Sequence, residues 1–310
     1  MSRARAARGV AAAVLLVVAA LTGCAGKFQA TRPYPAPDPA AILKELRRRQ
    51  AAVQSADLET RTTSWLGGQR TRANVYMLVD RIGRLRFEAE VALQGTVATL
   101  VTDGKTFSLA DFQSHAAKRG PACPENVASL IPVPLHPAEI AAVLLGDAPL
   151  AAEARVVGVS WDGNAGADAV EIENPRAAGA GAGGGGGGGG SAATVTRRLW
   201  LSVKPAPGAL GGWDVVGLEG ETPDGRGRFR VAFDDLADAG GFRHPGTIRF
   251  AEPGRSFDDG VEIKVKSRKL NPELRATAFV AEPPVGFSVE VVACGARGLG
   301  APGAARPGGP

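Results

Sequence analysis

From Leu58 onward, apolar and polar residues alternate in short runs, and turn signals at Gly67-Gly68, Asp80 to Gly83, Gln94-Gly95 and Asp103-Gly104 separate them. This pattern predicts an antiparallel meander of four to five strands. Its clearest stretch is Arg84 to Val91, where Leu85, Phe87, Ala89 and Val91 share one face and charged residues share the other. Upstream, Asp38-Pro39 followed by Ile42, Leu43, Leu46 and Val53 predicts a helix with an Asp cap, Pro at its first position and one apolar stripe. Lys44, Arg47, Arg48 and Arg49 fall on its other face, which reads as a solvated surface or a contact for anionic headgroups.

A helical segment is expected from about Asn126 to Gly146, broken by Pro132, Pro134 and Pro137, with Gly146 as its C-terminal stop. Strands then resume at roughly 155–161, 168–174, 195–203, 213–219, 226–234, 246–251, 259–268 and 286–293. Alternation is clean where Phe229, Val231 and Phe233 oppose Arg226, Arg228 and Arg230, and where Val261, Ile263 and Val265 oppose Glu262, Lys264 and Lys266. The expected fold is mainly β with helices (α+β): a single curved antiparallel sheet, an unclosed barrel, with helices packed on its concave apolar face. The eight glycines Gly183 to Gly190 lack the following Lys-Ser or Lys-Thr of a phosphate loop, so residues 177–193 read as a flexible hairpin insertion and 295–310 as a disordered tail.

The first residues follow another logic. Arg3, Arg5 and Arg8 precede an apolar run from Val10 to Leu21, which is the layout of a secretory signal and too short to span a bilayer as a helix. Leu21-Thr22-Gly23-Cys24 resembles the lipobox of bacterial lipoproteins at every position. The resemblance implies cleavage after Gly23, lipid attachment at Cys24 and, with Ala25 rather than Asp next, residence in the outer membrane. Residues 1–23 are then the signal peptide, and 24–38, with Pro33, Pro35 and Pro37, an extended tether. The folded body is expected to be 39–294.

Charge and cysteine content narrow the function. Without Arg3, Arg5 and Arg8 the 36 basic residues become 33 against 31 acidic ones, which is no nucleic-acid-binding balance. In an exported chain, Cys123 and Cys294 are either a disulfide or two small apolar residues. His115, His136 and His244 sit in no zinc-protease or Ser-His spacing, there is no Gly-x-Ser-x-Gly, and Asp258-Asp259-Gly260 reads as a turn rather than a calcium loop. No enzyme, cofactor or metal is expected.

The order helix, meander, proline-broken helix, meander is similar to the LolA/LolB-like family. Ile131-Pro132-Val133-Pro134-Leu135-His136-Pro137, then Ile140 to Leu145 and Gly146, resembles the Pro-x-Pro-Leu lead into a LolB helix that ends Leu-Gly. This likeness implies a half-barrel whose cavity takes acyl chains of lipids or lipoprotein cargo, passed on by a periplasmic LolA-like carrier, with the membrane reached through the lipid anchor. It implies a cavity lined by Leu85, Phe87, Val91, Leu199, Leu201, Phe229, Val231, Phe233, Ile263 and Val265 beneath a lid of Ile140, Val143 and Leu144. It also makes Leu93, in the turn Ala92-Leu93-Gln94-Gly95, the residue that enters the membrane, although its parity equally fits one more core-face leucine. A structural or assembly lipoprotein with a filled core is the competing reading.

Overall fold

A computed structural model describes residues 30–66, 69–129, 133, 135–177, 194–207, 212–222, 225, 227–280 and 282–294. Cys24, Leu21, Thr22, Gly23, the glycine run, the tail and most of the Pro-x-Pro stretch lie outside them. Asp38 caps the first helix, α1 (Pro39–Ala52), by accepting from the Ala40 amide, and Ile42, Leu46 and Val53 are buried. The basic face is only partly solvated: Arg49 turns inward to Asp147 and the Leu145 carbonyl.

The meander holds six strands: β1 (Ser55–Leu66), β2 (Gln69–Asp80), β3 (Arg84–Val91), β4 (Gly95–Thr102), β5 (Thr106–Asp111) and β6 (Ala116–Pro121). Two short helices follow, α2 (Pro124–Val127) and α3 (Pro137–Leu144). A second run comprises β7 (Arg155–Asp162), β8 (Ala167–Ala177), β9 (Thr194–Pro205), β10 (Trp213–Glu221) and β11 (Arg228–Asp234). The small ladder β12 (Ala237–Asp238) and β13 (Arg243–His244) leads to β14 (Thr247–Ala251), β15 (Val261–Leu270) and the terminal β16 (Ser288–Val291).

Fourteen strands form one sheet in the order β16-β6-β5-β4-β3-β2-β1-β15-β14-β11-β10-β9-β8-β7, so the two runs join where β15 pairs with β1 and the barrel stays open between β7 and β16. The expectation of a purely antiparallel sheet fails at one place. β16 runs parallel to β6, because residues 271–287 first cross the outer face of the sheet and return the chain in the same direction. In both runs period-2 alternation sends the apolar residues of the strands to the concave side, β16 excepted, and a single core cluster there joins both runs, α1 and α3.

Candidate functional site

Eight of the ten predicted lining residues are fully buried in that cluster: Leu85, Phe87, Leu199, Leu201, Phe229, Val231, Phe233 and Ile263. Val91, at the end of β3, and Val265, opposite the register shift between β15 and β1, are half-buried. Helix α3 brings Ile140, Val143 and Leu144 into the same cluster, so sheet and helix cover each other's apolar faces.

Polar contacts hold α3 at its ends. Glu139, buried at its first turn, forms an ion pair with Arg197 on β9, and Glu139 also accepts from the His136 amide at 3.0 Å. Gly83, in the β2–β3 turn with φ of +95°, lets the helix start approach so closely that a Cβ would lie 2.9 Å from the Ala138 nitrogen. At the other end Gly146 takes a φ of +76°, and Asp147 accepts from Arg49 and, at 2.5 Å, from Arg81. His244 is wholly buried, with Nε2 2.9 Å from the Leu144 carbonyl and Nδ1 3.0 Å from that of Pro245. A neutral imidazole donates to one of these. Burial pushes its pKa down to about 4, against the hydrogen bond to Leu144, with Arg268 and Arg49 lowering it further. Helix α3, buried at every residue but Ala138, is therefore fastened to both halves of the sheet by ions and hydrogen bonds at its ends, with apolar contacts between them.

Leu93 is fully exposed, at the tip of the β3–β4 turn, with φ of 69°. Its core-face parity is broken because the chain turns at Ala92, so the side chain leaves the alternation of β3. The neighbouring β5–β6 turn is tied to it by a Gln113 to Gln94 hydrogen bond of 2.9 Å, and places Phe112 edge-on to Phe287, 5.4 Å between centroids. Val285, close by in sequence, is also fully exposed.

Residues 30–38 do not form a free tether. The Ala30 amide donates to Gly163, Trp161 Nε1 donates to Ala30, Arg32 pairs with the buried Asp168 at 2.6 Å, and Tyr34 sits edge-on to Trp161 and Trp213. Burial, and then the Asp168 carboxylate, raise the Tyr34 hydroxyl to about 12. Proline content suggested an extended linker, yet an extended chain with alternating Arg32 and Tyr34 is also well shaped to lie against a sheet edge.

Cys123 and Cys294 are joined, with Cα atoms 6.0 Å apart, which fastens β16 beside β6. Two clefts, of about 640 and 480 Å³, lie under residues 272–291 on the convex side, and none of the ten predicted lining residues borders either. Among the described residues no three His, Cys, Asp or Glu side chains group as a metal site, and no helix is long and apolar enough to cross a membrane. Asp258 and Asp259 belong to a 3₁₀ turn that leads into β15.

Sequence reasoning missed Arg81, Asp147 and Arg197. Nothing local marks the partner of any of them, which lies 58 to 98 residues away.

A LolA superfamily protein from Nitrosomonas europaea superposes with a TM-score of 0.50 at 11% identity, covering 79% of this chain and 99% of its own. The fold is LolA-like. A putative outer membrane lipoprotein-sorting protein domain from Vibrio parahaemolyticus gives 0.48 at 10% identity, covering 78% and 97%. No family profile matches the sequence, and no curated protein does. The LolA-like likeness is thus one of fold: an open, mostly antiparallel sheet with helices against its concave face.

Proposed function

We propose that this chain is a lipoprotein of the bacterial outer membrane, anchored through Cys24, whose half-barrel takes up acyl chains of lipids or lipoproteins and helps their localisation or insertion. The observation that carries the reading is the cover α3: its underside is wholly apolar, and its attachments are polar and confined to its rim. Parting it from the sheet would open an apolar sheath without unfolding any strand. A 16-carbon chain gains about 12 kcal/mol from such a sheath, at ~0.8 kcal/mol per CH₂, which is what competing with a bilayer requires.

Leu93, exposed on a turn, is the residue suited to entering a membrane during delivery. Six residues separate Cys24 from Ala30, a reach of at most roughly 20 Å. The docked segment 30–38 meets the β7–β8 turn, and by register this turn and Leu93 lie at opposite strand ends. Delivery by Leu93 into the anchoring bilayer therefore calls for residues 30–38 to leave their seat. A LolA-like periplasmic carrier is the natural donor of cargo in this scheme.

The packed state of the concave cluster favours one alternative, a structural lipoprotein of an envelope complex with a filled core. Mass spectrometry of the purified, non-acylated chain separates the two. Acyl lipid that co-purifies, with micromolar uptake of a triacylated lipopeptide, is the expected result; no lipid and no uptake would overturn the acceptor reading.

A further inference from the structure

After β15 the chain crosses the outside of the sheet, lies along β3 through residues 276–279, loops back at Val285-Gly286 and returns as β16. Its two arms enclose the 640 Å³ cleft on the convex face of β4 to β6, a volume within the range of small-molecule sites. One arm supplies Phe279 and Val280 and the other Val289 and Val291, while Val101 and Ser108 are among the sheet residues lining it.

Three of these apolar side chains, Val280, Val289 and Val291, are exposed although each borders a concavity. The cations Lys105 and Arg119 border the same cleft and have no ion-pair partner among the described residues. The one carboxylate there, Asp103, is engaged by its own turn, accepting from the amides of Lys105 at 2.8 Å and Thr106 at 2.7 Å. An apolar slot with two uncommitted cations matches an amphipath that joins one acyl chain to an anionic head.

We infer that this convex cleft is a second lipid site, for a single-chain anionic amphipath whose tail lies between the Phe279-Val280 arm and the Val289-Val291 arm and whose head meets Lys105 and Arg119. It lies on the other side of the sheet from the proposed cargo sheath and does not depend on it. The disulfide between Cys123 and Cys294 holds the second arm in place.

Photolabelling tests this directly, using the full processed chain with palmitic acid that carries a terminal diazirine, its methyl ester, and a lysophosphatidylglycerol with the same tail. Adducts are expected in peptides containing Val280, Val289 and Val291. Labelling by the acid or by the lysolipid that exceeds labelling by the ester supports the site, and the ratio of acid to lysolipid tells a free carboxylate from a phosphate head. The double variant Lys105→Glu, Arg119→Glu alters exposed side chains and should fold normally. It should lower anionic labelling about tenfold, two exposed ion pairs together being worth roughly 1.4 kcal/mol, and leave ester labelling unchanged. Adducts confined to the concave residues or α3 would overturn the site and leave the cargo reading intact. Equal labelling by ester and acid would also overturn it, as would labelling that emerges only when residues 295–310 are removed, which would give the cleft to that tail.

Discussion

The two faces of the sheet are covered by different means. On the concave side α3 is held by the Glu139–Arg197 pair, the Asp147 pairs and His244, and none of these is covalent. On the convex side the C-terminal segment is held through Cys123–Cys294 and a parallel ladder with β6. A buried ion pair is poor as a source of net stability, since desolvation offsets most of its attraction, yet it fixes geometry and releases it in one step. A disulfide restricts the chain whether or not the fold is intact. On the proposed function, the difference separates a cover that opens from a strap that stays.

Breaking the lid pair should have the largest effect. Arg197→Ala removes the guanidinium that faces the buried Glu139 carboxylate and is expected to lower stability by about 4 kcal/mol in urea unfolding. Arg197→Met with Glu139→Leu should recover most of this loss, and would leave a lid held at one end. A double variant as unstable as the single would show that the pair is not an isolated latch. Removal of the strap's bridge comes next: Cys294→Ser should cost about 3 kcal/mol. Limited proteolysis should then cut within residues 271–291 while α3 stays protected, and cleavage at α3 first would merge what the comparison separates.

Protonation of His244 is the third. Its folded pKa, about 4, lies below the ordinary 6.5, so the unfolded chain binds the proton more readily between those values. Its stabilising contribution is therefore complete only well above pH 6.5 and falls as pH drops through 6.5 towards 4, reaching a loss of about 2 kcal/mol by pH 5. A His244→Gln variant should show a shallower decline over this window in thermal unfolding at fixed salt; an unchanged slope would remove His244 from the latch. The smallest effect on stability belongs to Leu93→Asp, within about 0.5 kcal/mol because the side chain is wholly exposed. Transfer of a lipopeptide into vesicles should nevertheless fall severalfold, and full transfer would mean that Leu93 has no part in delivery.

Much of the fold was legible because most of the long strands are half wet. Phe229, Val231 and Phe233 against Arg228 and Arg230 announce both strand and facing, and Gly146 marks the end of α3 as expected. The β5–β6 hairpin was overlooked, since Ala116 to Pro121 carries little alternation and its turn, Phe112 to His115, contains no glycine. Long-range geometry was not legible: that Arg49 meets Asp147, that Arg32 reaches Asp168, and that the last strand runs parallel all depend on how distant segments fold back. For the candidate site, alternation named residues of the concave apolar cluster, while the charges that fasten α3 depend on segments far apart in the chain. Leu93 shows the limit most plainly, because parity and turn position point in opposite directions and only the backbone decides between them.

The central claim is that α3 opens to admit acyl chains, and hydrogen exchange of its amides tests it most directly. With a saturating triacylated lipopeptide, exchange across residues 137–147 should change severalfold, while amides of β16 keep their rate. Exchange at α3 that is the same with and without the lipopeptide would contradict the account.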